Sequence, residues 1–303
     1  MRLSEMNYKN PVLKGQYADP DLAFFDGKWY IYPTTDGFDG WSGTQFFVFE
    51  SKDGVNFENK GLIVDVASDQ VPWSIGSAWA PCITKRNDKY YFYFCAKDVT
   101  GVSGVGVAIA DSPVGPFKAF DKPVLCQEIM KKNNINVGQV IDPSIFKEDD
   151  NYYIVFGNGS PVIAKLNEDM TSIDESTLQK LEGAFDFRES MIVTKYNGLY
   201  HYTWSVDDTG SENYHINYGV SKNLYGPIEY KYTVLEKDPS RDILGTGHHS
   251  ILEYEPGKFR IAYHRFVTPL GQYTKGFGFH RETCLADLDF DENGLMKKVE
   301  MKN

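Results

Sequence analysis

Two aspartates precede prolines, at Asp19-Pro20 and Asp142-Pro143, and a glutamate heads a comparable apolar run at Glu189-Ser190-Met191-Ile192. An Asp-Pro step taken alone reads as a bend in the chain. Their spacing says more: Asp19 to Tyr30, Asp142 to Tyr153 and Glu189 to Tyr200 each cover eleven residues. Ala80 to Tyr91 and His248 to Phe259 repeat the same separation. If the fold repeats with the sequence, Asp19, Ala80, Asp142, Glu189 and His248 form a ring and three carboxylates meet in one small volume. Like charges gathered and desolvated in this way oppose folding, so their convergence points to chemistry. The chemistry that three such groups suit is hydrolysis of a glycosidic bond. One carboxylic acid protonates the leaving oxygen, and a carboxylate across the gap activates water. The third holds the acid in place and raises its pKa by repulsion.

The elements that must position these residues are also legible. Eleven residues after each quartet head comes an aromatic strand entered by a polar turn: DGKWYIYPTT at 26–35, NDKYYFYFCA at 87–96 and DDNYYIVFGN at 149–158. It returns as YNGLYHYTWS at 196–205 and EPGKFRIAYHRF at 255–266. Turn residues followed by alternating aromatic and β-branched side chains predict the second strand of a hairpin. The quartet heads are 61, 62, 47 and 59 residues apart (80−19, 142−80, 189−142, 248−189). A five-fold repeat of hairpins predicts an all-β, five-bladed β-propeller, each blade of four strands around a central channel. A flat sandwich gives no reason for the repeat. Phe46–Phe49 and Val105–Ile109 read as third strands; helical signal is weak everywhere, with 174–181 the one ambiguous stretch. No linker or composition shift divides residues 1–303, so a single catalytic domain is expected.

Composition agrees and excludes several classes. Of 303 residues, 42% are hydrophobic and 15% aromatic, enough for a large β-rich core. The net charge of −11 makes nucleic acid and anionic membranes poor partners and leaves a neutral ligand unopposed. Cys82, Cys95, Cys126 and Cys284 show no CxxC spacing, and Cys82 and Cys95 read as buried thiols. Residues 1–15 hold no apolar signal segment, so a cytoplasmic location is the expectation.

Tyr17-Ala18-Asp19-Pro20-Asp21, Trp79-Ala80-Pro81, Ile141-Asp142-Pro143-Ser144, Arg188-Glu189-Ser190 and Gly247-His248-His249-Ser250 together resemble glycoside hydrolase family 43, over essentially the whole chain. The resemblance implies a five-bladed propeller and an inverting α-L-arabinofuranosidase or β-xylosidase acting on neutral pentose-containing oligosaccharides. It implies Asp19 as general base, Asp142 as modulator and positioner of the acid, and Glu189 as general acid. Trp79 would be a wall against which the sugar stacks; Phe38, or Trp41 in its place, would be a second. Arg281 would hydrogen-bond the sugar. His248 would lie at the channel centre, where the family often holds a structural calcium, directly or through water; the chemistry itself requires no cofactor. Longer xylosidases of the family carry a further C-terminal sandwich, which tilts the expectation toward arabinofuranose release. His264 and Arg265 read as structural, and Asp149-Asp150 and Asp207-Asp208 as solvated turns. The rival classes are a sugar-binding propeller without catalysis, which loss of a ring carboxylate would mark, and a retaining fructan hydrolase, whose nucleophile motif is missing near the N-terminus.

Overall fold

The computed structural model describes residues 2–6, 8–268 and 277–302. Each quartet-plus-aromatic unit folds into an antiparallel hairpin that is extended outward into a sheet. The first sheet is β1 (Tyr17–Phe25), β2 (Lys28–Thr35), β3 (Gln45–Ser51) and β4 (Glu58–Asp65). The second is β5 (Ser74–Arg86), β6 (Lys89–Asp98), β7 (Ser103–Ala110) and the two-residue β8 (Lys118–Ala119). The third is β9 (Ser144–Glu148), β10 (Asn151–Phe156), β11 (Val162–Leu166) and β12 (Ile173–Lys180). The fourth is β13 (Glu189–Tyr196), β14 (Leu199–Val206), β15 (His215–Ser221) and β16 (Glu229–Leu235). The fifth holds three strands, β17 (Gly247–Glu255), β18 (Lys258–Phe266) and β19 (Arg281–Leu288). These are the five blades of a β-propeller.

The last blade departs from the four-strand expectation, and the N-terminal segment covers its open edge. Val12 N–H donates to Thr283 O (3.0 Å), Leu285 N–H to Asn10 Oδ1 (2.9 Å) and Tyr8 O–H to Leu285 O (3.2 Å). Leu3, Tyr8 and Leu13 join the apolar cluster of Trp29, Ile31, Phe49, Ala262 and Leu285, so the first and last blades share a core. An uncovered edge strand would expose unpaired backbone groups. The ambiguous stretch 174–181 is strand, within β12 but for its last residue, and the one α-helix among the described residues, α1 (Gln127–Lys132), lies where no helix was expected. Six residues carry too little periodicity to read, and tertiary packing holds the turn: Met130 is fully buried between the second and third blades. Cys82, Cys95 and Cys284 are buried free thiols.

Four of the five inner hairpins carry one extra residue near the head. The pairing slips between Ala18 and Asp21, between Trp79 and Cys82, between Glu189 and Ile192, and between Gly247 and His249. At each slip one residue takes a left-handed backbone: Asp19 (φ 46°), Ala80 (44°), Ser190 (57°) and His248 (33°); Asp142 (57°) does so in the third blade. Such bulges bend a strand and re-aim its side chains, and they concentrate near active sites.

This corrects the expected ring. In four blades the left-handed residue is the quartet head, but in the fourth it is Ser190. Glu189 stands one place earlier, pairing with Ser205 as Ala18 pairs with Thr34 and Trp79 with Cys95. The eleven-residue spacing therefore misaligns that blade by one. Both faces of the aromatic strands carry rings, so aromatic position fixes register only to within a residue; the bulge fixes it fully.

Candidate active site

Two tiers of side chains line one end of the channel. The bulge tier contributes Asp19, Asp142 and His248, and the residues just before the bulges contribute Trp79, Ile141 and Glu189. With Trp41, Gln139, Asn158, Arg188, Asp208, Thr209 and Arg281 they line a solvent-open cavity. Asp19, Asp142 and His248 also face a second, polar cavity further down the channel, and so make the floor of the first.

Asp19 is buried among cations and ring nitrogens. Its Oδ1 lies 3.0 Å from Arg281 Nη1, 3.0 Å from His264 Nδ1 and 3.4 Å from His248 Nδ1. Burial pushes the carboxyl up, but Arg281, His248 and His264 outweigh it and hold Asp19 well below the usual carboxylate range. Arg281 is itself fixed: its Nε and Nη2 donate to Asp36 (2.9 and 3.2 Å), its backbone N–H to the same carboxylate (2.9 Å), and its Nη1 also to Thr209 Oγ1 (3.0 Å). Burial drives His264 down to about 4 and also lowers His248, against the opposing pull of Asp19.

Asp142 and Glu189 have different company. Asp142 Oδ2 is buried with no hydrogen-bond partner among the described residues, its closest cationic or ring nitrogen being His248 Nδ1 at 3.7 Å. Burial, then Glu189, then Asp19 push Asp142 well above its ordinary value. Glu189 is raised too, chiefly by burial, against hydrogen bonds from Tyr214 O–H (2.9 Å) and Asn158 Nδ2 (2.7 Å). The two carboxyls titrate as a pair that keeps a proton after Asp19 has lost its own. Gly247 is required here: a Cβ on it would fall 2.3 Å from the Tyr214 ring.

The walls are aromatic. Trp79 Nε1 donates to Trp41 O (2.6 Å), and Lys97 Nζ sits 4.8 Å over the Trp79 ring. Trp41 stands edge-on to Phe279 (centroids 4.6 Å apart) and donates to Gly278 O. Phe38 does not line the cavity; its side chain points out of the loop, 46% exposed, and Trp41 takes the wall position. Trp41 has φ 52°, a left-handed turn that swings its indole inward.

Several other readings change. His264 touches Asp19 and is not merely structural, whereas Arg265 pairs with Glu282 at 2.8 Å, away from the cavity. Arg281 reaches the site through Asp19, Asp36 and Thr209. Asp207 and Asp208 are exposed in the turn, as expected, and Asp208 with Thr209 also reaches the cavity wall. Asn158, Tyr214 and Asp36 gave no sequence signal: Asn158 and Asp36 act across blades, and Tyr214 meets Glu189 from another part of the same blade. Calcium takes six to eight oxygen ligands. Beside His248 stand two carboxylate oxygens, one already bonded to Arg281, and no group of three or more His, Cys, Asp or Glu among the described residues is arranged to hold a metal. The side chains present do not form a direct calcium shell.

A propeller whose channel mouth sets one ionised carboxylate against a proton-holding pair, between tryptophan walls, is the framework of a glycosidase. The chain belongs to glycosyl hydrolases family 43, whose pattern it matches over residues 8–296. It is 28% identical to a xylosidase/arabinosidase of Bacteroides ovatus, over 97% of this chain and 98% of that one. It is 30% identical to the β-D-galactofuranosidase xynD of Aspergillus niger, over 96% and 84%. Among solved structures it resembles a β-xylosidase/α-arabinofuranosidase from a compost microbial metagenome, solved with xylotriose in a calcium-free form. That similarity has a TM-score of 0.79, 26% identity and 97% coverage of each chain.

Proposed function

We propose that this glycosidase is an inverting, exo-acting enzyme that releases a terminal α-L-arabinofuranose from hemicellulose- or arabinan-derived oligosaccharides. Asp19 is the general base that activates water, Glu189 the general acid that protonates the leaving oxygen, and Asp142 the neighbour that keeps the acid's proton in place. The observation that carries this reading is the split between the carboxyls: Asp19 is held ionised by Arg281 while Asp142 and Glu189 are pushed up together. One group is ready to take a proton when its partner is ready to give one. A floor of Asp19, Asp142 and His248 beneath Trp41 and Trp79 suits a chain end better than a chain interior.

Release of β-D-xylose is the second reading. The names of the relatives favour it, and so does their length: a β-xylosidase of Xylanibacter ruminicola is matched over 96% of its own chain, so the activity needs no further sandwich domain in that relative. Hydrolysis of 4-nitrophenyl α-L-arabinofuranoside, 4-nitrophenyl β-D-xyloside and linear arabinan separates the substrates. We expect arabinofuranoside turnover to exceed xyloside turnover; the reverse order makes xylose the substrate. Proton NMR of the first product, taken before mutarotation, should show the anomer opposite to the substrate's, and retention would overturn the mechanism.

A further inference from the structure

A cation stands beside the acid. Arg188 immediately precedes Glu189, and its Nε lies 3.9 Å from Glu189 Oε2. That Nε–H has no hydrogen-bond partner among the described residues, although the main chain on either side is fixed, Arg188 N–H donating to Ser205 O and Gly159 N–H to Arg188 O. A positive charge at this range favours the carboxylate form and works against a group that must hold a proton. The far end of the guanidinium is turned the other way: Nη2 donates to Asp208 Oδ2 at 3.0 Å. Asp208 comes from the loop between β14 and β15, and both residues line the cavity. The same loop supports the opposite side, because Thr209 accepts from Arg281 and Gly210 packs beneath the Trp41 ring.

We infer that Arg188 and Asp208 are a positioning pair for the acid: Asp208 draws the guanidinium off Glu189, and the balance of the two sets the pH at which Glu189 gives up its proton. This rests on Glu189 being the general acid. The other groups facing Glu189 are Tyr214 and Asn158 by hydrogen bond, Asp142 and Asp19 across the cavity, and the Cys95 thiol beneath Asp142. None of them can exchange position with solvent as the half-exposed Arg188 and Asp208 can.

The signs are opposite for the two members. Arg188→Gln removes the charge that favours ionised Glu189, so the alkaline limb of the kcat/KM profile should move up. Asp208→Asn releases Arg188 toward Glu189 and removes a repelling charge, so the limb should move down. Each shift should be about one pH unit at low salt and smaller in 1 M NaCl, since both side chains meet solvent. The Arg188→Gln/Asp208→Asn double variant should return close to the wild-type limb. Limbs that stay put, or that move in the same direction in both single variants, overturn the pairing. A folding defect would lower the amplitude without moving the limb. Glu189→Ala, assayed alongside on an alkyl glycoside, separates the failures: full activity there removes the acid assignment itself, whereas an inactive Glu189→Ala with unmoved limbs removes only the inference about Arg188 and Asp208.

Discussion

Around Asp19 the fold gathers Arg281, His248 and His264, with Asp36 anchoring the arginine from behind. Around Asp142 and Glu189, in the same cavity, it provides one tyrosine, one amide, His248 at 3.7 Å from Asp142, and the Arg188 cation, whose Nη2 is bonded to Asp208. All three carboxyls are buried, so desolvation alone would raise all three. The contrast shows that burial supplies the common upward push and that the choice of neighbours decides which group stays ionised. On the proposed assignment, one fold thus prepares a base and an acid in a single cavity.

The contrast can be broken from either side. The largest effect should come from Asp19→Ala, because water activation has no second carboxylate with a low pKa. Activity on every substrate should fall by about 10⁴-fold, the upper end for acid–base catalysis, and steady-state turnover close to wild type would dissolve the assignment of the base. Glu189→Ala should cost about 10²–10³-fold on natural oligosaccharides, whose leaving alkoxide needs a proton. On a dinitrophenyl glycoside the loss should be much smaller, and equal losses on the two substrates would argue that the proton comes from elsewhere.

Gly247→Ala sharpens the same comparison without touching a carboxyl. The added methyl must displace the Tyr214 ring, and with it the hydrogen bond to Glu189 Oε1. We expect kcat on poor leaving groups to drop roughly tenfold to a hundredfold, within the range for acid–base catalysis, with little change on dinitrophenyl substrates. A uniform loss across leaving groups would indicate damage to the base side or to the whole blade. The smallest effect is a shift in pH dependence. The last proton of the Asp142–Glu189 pair is held at raised pKa by burial first, and on Asp142 next by the charge of Glu189. Asp142→Asn removes that repulsion, so Glu189 should ionise earlier and the alkaline limb of kcat/KM should move to lower pH by about one unit. A limb that does not move would leave Asp142 with a purely steric role.

Much of this was written in the local sequence. Polar turns followed by aromatic strands, repeated five times, determined the hairpins, their order and the propeller, since side-chain alternation and turn chemistry act over a few residues. The same repeat picked out Asp19, Asp142 and Glu189 as residues brought together, and the family resemblance added Trp79. It could not reveal the one-residue offset that puts Ser190, not Glu189, on the bulge, because aromatic rings on both faces leave the register open by one. Nor could it choose Trp41 over Phe38, three residues away in one glycine-rich loop; the left-handed turn at Trp41 made that choice. Asp36, Asn158, Asp208, Thr209 and Tyr214 came from the tertiary structure alone. Each meets its partner across blades or loops, as Asp36 meets Arg281 from 245 residues away. Sequence fixes which groups can be charged; the pKa of each depends on what the closed ring of blades sets beside it, and that distance in space has no counterpart along the chain.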